Sequence, residues 1–107
     1  RLHFNTGSTN LTAESRDQIG TLVAILKAYP NAAIKIGGYT DNVGDADANL
    51  KLSAARAERV RDELAGQGIS ADRLESAGYG EQHPVAGNDT PDGRAKNRRT
   101  ALSVRPK

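Results

Sequence analysis

The chain has 107 residues, 36% of them apolar before its 11 glycines are counted, and a formal net charge of +2. That length suits one ordinary domain with a single core, and that composition excludes a disordered chain. No apolar run approaches the roughly 18 residues of a membrane-spanning helix, and the lack of Cys excludes disulfides and thiolate metal sites.

Leu2-His3-Phe4 reads as the end of a short strand, and Asn5 to Asn10 as a polar loop. Thr12 is the predicted N-cap of a first helix, with Glu14 in the first turn where the helix dipole favours an anion. Ile19, Leu22, Val23 and Leu26 follow at helical spacing, and Pro30 ends the segment because it cannot continue the hydrogen-bond ladder. Ala33 to Tyr39 reads as a strand with Ile34 and Ile36 on one face; Gly37-Gly38 weakens it but permits close approach of another backbone. Thr40 to Ala46 is a loop, and a second helix is expected from about Asp47 to Gln67, with Gly66 and Gly68 as its stop signals.

Arg73 to Ala77 reads as a third strand, broken by Gly78-Tyr79-Gly80. Gln82 to Asn88 is irregular around Pro84, and Thr90-Pro91-Asp92-Gly93 is a turn or the opening of a short helical segment. Thr100 to Arg105 alternates as a last strand. The order β-α-β-α-β-β predicts an α/β fold, an α+β sandwich whose mixed sheet carries both main helices on one face, as one domain over residues 1–107. The only aromatics are Phe4, Tyr29, Tyr39 and Tyr79, so an aliphatic, alanine-rich core is expected. The chain opens on Arg1, shows no signal-peptide pattern and lacks Met, so a processed or excised piece of a larger protein is expected.

The second helix has two unlike halves. With Leu52 at 0°, Val60 falls at about 80°, Leu64 at about 120° and Ala57 at about 140°, which defines an inward arc. Glu58 and Asp62 fall on the opposite side. Asn49 at about 60°, Ser53 at about 100° and Arg56 at about 40° lie inside the arc although they are polar. A local break in an apolar stripe suggests a site. Helical side chains lean toward the N-terminus, so the Arg56 guanidinium is expected near the Thr40–Asp41 loop.

Two readings follow. Arg56 and Asp41 form a structural ion pair that locks loop to helix, or they receive a zwitterion, Asp41 taking an ammonium and Arg56 a carboxylate in a two-pronged contact. Helix N-terminal amides near Asn49 are expected to add to anion binding.

The residues that carry chemistry also carry a resemblance. Gly38-Tyr39-Thr40-Asp41-Asn42-Val43-Gly44 is followed by Asn49-Leu50-Lys51-Leu52-Ser53-Ala54-Ala55-Arg56-Ala57, Gly68-Ile69, Arg73-Leu74, Gly78-Tyr79-Gly80 and Pro84, and closes with the run from Asn88 to Arg99. In order and spacing these motifs, across essentially the whole chain, resemble the OmpA-like C-terminal domain, the peptidoglycan-binding module of Gram-negative envelope proteins. The resemblance implies noncovalent binding to meso-diaminopimelate of the stem peptide, with Asp41 on its ammonium and Arg56 on its carboxylate. It also implies that Thr40, Asn49, Leu52 and Ser53 line the pocket, that Asn5 and Thr6 face it from the first loop, and that Arg98 closes it beside Asn97. The implied setting is periplasmic, in an outer-membrane or envelope-anchored protein, with envelope proteins as further partners. Asn5 stands where the family often has Asp, and Tyr39 where His is common. The tail Arg105-Pro106-Lys107 is not diagnostic.

Other functions find less support. His3 and His83 are the only histidines, no His-x3-His pair exists, and no serine sits in a nucleophile elbow; neither catalysis nor a metal or other cofactor is expected. Gly78 and Gly80 are not followed by a Gly-Lys-Ser/Thr phosphate loop. Arg94, Lys96, Arg98, Arg99, Arg105 and Lys107 crowd the C-terminal end with no acid after Asp92, yet no interleaved aromatics or reading helix suit nucleic acid. An envelope protein–protein interaction module, with Asp41 and Arg56 paired only structurally, is the alternative.

Overall fold

A computed structural model describes residues 2–4 and 8–106. Its elements are α1 (Ala13–Ala28), β1 (Ala32–Tyr39), α2 (Ala46–Gly66), β2 (Leu74–Gly80), α3 (Pro91–Asn97) and β3 (Arg99–Pro106), with a 3-10 turn at Ala71–Arg73. The sheet order is β2-β1-β3, with β1 parallel to β2 and antiparallel to β3. The parallel pair requires a crossover, and α2 supplies it.

The helix starts obey their sequence signals. Thr12 caps α1, its hydroxyl oxygen accepting from the Ser15 N–H, and the Ser15 hydroxyl in turn accepts the N–H of His3 at 2.7 Å. Asp45 caps α2 by accepting the Ala48 N–H at 2.9 Å. At the other end of α2 the chain reverses at Gly68, where φ is +99° and the Ile69 N–H returns to the Leu64 carbonyl. Ile34 and Ile36 point from β1 toward both main helices, into one cluster with Ile19, Val23 and Leu26 of α1 and Ala57, Val60 and Leu64 of α2. The α/β sandwich therefore has its helices on one sheet face.

Two segments depart from the sequence reading. Leu2–Phe4 forms no strand: Leu2 bridges Thr100 and Phe4 bridges Leu11, both antiparallel. The segment changes partner within two residues, too soon for a ladder. Conversely, β2 is not broken at Gly78 but runs to Gly80, with a register shift between Gly38 and Tyr39 of β1. Gly38 and Gly78 lie under α2. A Cβ on Gly38 would overlap the Ser53 carbonyl oxygen, and one on Gly78 would meet the Ala54 Cβ at 2.7 Å. These glycines let the helix rest on the strand backbones.

α3 is capped by Thr90 with Pro91 in its first turn, and its last residue anchors the loop before it. The fully buried Asn97 side chain accepts from the N–H groups of Val85 and Ala86 and donates to the Ala86 carbonyl and to Asn88 Oδ1. Arg98 follows directly, at the mouth of the cleft described next.

Candidate functional site

The site begins where β1 ends. The Thr40 N–H donates to the Gly80 carbonyl at 2.7 Å, and the Thr40 hydroxyl donates to the Asp41 carbonyl at 2.8 Å. Asp41 Oδ1 accepts the Val43 N–H at 3.0 Å, a short turn closed by its own side chain. From the first turn of α2, Asn49 Nδ2 donates to the Val43 carbonyl at 2.9 Å and reaches that of Asp41 at 3.4 Å. One amide thus holds the loop that presents the carboxylate.

Arg56 rises from the next turns of α2. Its Nε donates to the Ser8 carbonyl at 3.0 Å, and its guanidinium lies 5.3 Å from the Phe4 ring centroid. Only 9% of the residue is exposed. Its pKa is lowered, first by burial and second by the nearby charge of Arg98. Both causes penalise the cation where it stands, and the opposite charge of an incoming anion would offset them.

Thr40, Asp41, Val43, Asn49, Leu52, Arg56 and Arg98 line one open cleft of about 450 Å³. A second, tighter cavity of about 280 Å³ shares Arg56 and Arg98 as walls, with His3, Phe4 and Ala95 among its other linings. One acid and two guanidiniums therefore face the same space.

The structural Asp41–Arg56 pair is not formed. Asp41 Oδ2 accepts instead from Arg98 Nη1 at 2.6 Å. The reason is geometric: the Ser8 carbonyl and the Phe4 ring hold Arg56 on the first-loop side, while α3 delivers Arg98 to the acid. Among the described residues no carboxylate pairs with Arg56.

Ser53 is also placed differently from the expectation. It is fully buried and faces the sheet, its hydroxyl donating to the Leu50 carbonyl at 2.8 Å and accepting the Gly80 N–H at 2.9 Å; it does not line the cleft. Ser53→Ala should cost about 1–3 kcal/mol by leaving the buried Gly80 N–H unpaired, a loss that thermal melts read. At the start of α2 the Ala48 N–H is taken by the Asp45 cap and the Asn49 N–H by the Asp45 carbonyl, so neither of these two amides is open to an anion.

Asn5 and Thr6 lie outside the described residues. Phe4, Ser8 and Val43 join the site without having been expected there. A backbone carbonyl such as that of Ser8 leaves no mark in sequence, whereas a lone aromatic beside the first loop is a signal of a kind.

The OmpA family matches residues 3–98. The chain is 36% identical over 103 residues to the probable lipoprotein YiaD of Escherichia coli K12, covering 96% of this chain and 47% of that protein. It is 40% identical over 101 residues to the peptidoglycan-binding protein ArfA of Mycobacterium tuberculosis, covering 94% of this chain and 31% of that one. The crystal structure of the peptidoglycan-associated lipoprotein from Burkholderia pseudomallei superposes with a TM-score of 0.90 at 30% identity, over 97% of this chain and 88% of that chain. The chain spans less than half the length of these two curated relatives.

Proposed function

The chain belongs to the OmpA family, and we propose from that membership that it binds peptidoglycan noncovalently and without catalysis, gripping meso-diaminopimelate of the stem peptide in the Asp41–Arg56 cleft. Asp41 receives the ammonium and Arg56 the carboxylate of the free amino-acid end. Thr40, Asn49 and Leu52 shape the walls. The domain then tethers its parent protein to the cell wall from the periplasmic side, as part of an outer-membrane or envelope-anchored protein. Relatives named as a peptidoglycan-binding protein, a peptidoglycan-associated lipoprotein and an outer membrane protein support that setting. Among the described residues no helix is long and apolar enough to cross a membrane.

The observation that carries the reading is a buried guanidinium with no acid of its own among the described residues, sharing an open cleft with a carboxylate. Charge-assisted hydrogen bonds contribute roughly 1.5–3 kcal/mol each. Two or three of them support affinity of about micromolar strength after ordering costs. Lysine-type stem peptides lack the carboxylate that Arg56 needs. Calorimetric titration should therefore show binding of free diaminopimelate and of a diaminopimelate muropeptide, with a lysine-type muropeptide at least about tenfold weaker. Equal affinity for the two muropeptides would contradict the assignment.

A further inference from the structure

We propose that Arg98 is a built-in competitor that makes the cleft demand both charges of its ligand at once. It holds the Asp41 carboxylate until a ligand brings an ammonium to replace it and a carboxylate to receive it. This inference rests on the functional reading above and assigns the discrimination within that site to a residue 57 positions from the acid.

The ammonium position is already filled. Asp41 keeps 11% of its side chain exposed, with Oδ1 committed to the Val43 N–H and Oδ2 to Arg98 Nη1. A ligand ammonium must therefore take Oδ2 from a charge-assisted contact of 2.6 Å. Arg98 is able to yield it. Its side chain is 49% exposed, and the ion pair is the guanidinium's one hydrogen bond among the described residues. Its backbone stays fixed, because the Arg98 N–H bonds to the Arg94 carbonyl and the neighbouring Asn97 is fully buried. The stem can move while its base does not.

Charge decides which ligand succeeds. The cleft holds one carboxylate and two guanidiniums, an excess of one positive charge. An ammonium alone would raise that excess to two and leave Arg98 without an anion. An ammonium and a carboxylate together leave the excess unchanged, and the displaced guanidinium joins Arg56 on the new carboxylate. Arg56 provides attraction for the carboxylate, and Arg98 adds a penalty for its absence.

Calorimetry with a diaminopimelate muropeptide and a lysine-type muropeptide, on the wild-type chain, Arg98→Ala and Arg98→Lys, tests the proposal. Arg98→Ala should bind the lysine-type muropeptide about tenfold tighter than wild type, narrowing the preference by at least that factor. Arg98→Lys retains a competing cation and should keep most of the preference. An unchanged preference in Arg98→Ala, or weaker binding of the lysine-type muropeptide, would overturn this inference alone. Wild type binding neither muropeptide would overturn the functional reading and this inference with it.

Discussion

Replacing Arg56 with alanine is expected to abolish retention of the domain on diaminopimelate-containing sacculi and to weaken binding of the free amino acid by more than about 100-fold. Truncating one partner of a desolvated, hydrogen-bonded charge pair costs about 2–5 kcal/mol of binding, and each 1.4 kcal/mol is about tenfold. The fold should survive. Among the described residues Arg56 is tied to the protein by one hydrogen bond to the Ser8 carbonyl and by the Phe4 ring, and its removal strips none of their carboxylates of a partner, because Asp41 is held by Arg98. A cooperative melt close to wild type, together with lost pull-down, is the expected pairing. Loss of binding that merely tracks loss of folding would instead make Arg56 a structural residue. Asp41→Ala should lose binding as completely, with a larger stability cost, since it also frees the Val43 N–H and Arg98.

The largest stability effect should come from Gly38→Ala. The added Cβ would overlap the Ser53 carbonyl oxygen and lie 2.9 Å from the Ser53 carbonyl carbon. Both atoms are helix backbone, which no rotamer change can move aside. The whole of α2 must lift from the sheet, separating Val60 and Leu64 from Ile34 and Ile36. Overpacking of this kind costs about 3 kcal/mol or more when backbone must shift, a fall of roughly 12 °C in Tm for a domain of this size. A variant melting within a few degrees of wild type would show that the helix seat is softer than the geometry implies. Gly20, in contrast, has open space where its Cβ would lie, and Gly20→Ala is the matched control.

The start of α1 is legible in sequence because capping is local, with Thr12 acting within three residues of itself; Asp45 caps α2 in the same local way, although the sequence reading places it in the loop before Asp47. The placement of Arg56 on the inward arc is legible for the same reason, since angular position follows from helix periodicity alone. The wheel does not give height along the helix or what stands opposite. Ser53 and Arg56 share the arc, yet Ser53 meets the strand end at Gly80 while Arg56 meets the cleft. The choice of partner for Asp41 is a tertiary matter, decided by where α3 ends, and no local pattern selects Arg98 over Arg56. Gly78 shows a different kind of ambiguity. A glycine in a strand is equally the mark of a break and of close packing, and only the neighbour across the gap distinguishes them.

Seating α2 directly on two strands has a mechanical corollary. If the domain tethers the wall as proposed, the pull would enter through Arg56, three positions from the residue whose carbonyl rests on Gly38. Backbone lying on backbone has little slack, so such tension would pass into the sheet without first stretching soft side-chain packing. The grip then behaves as a hook mounted on a rigid frame.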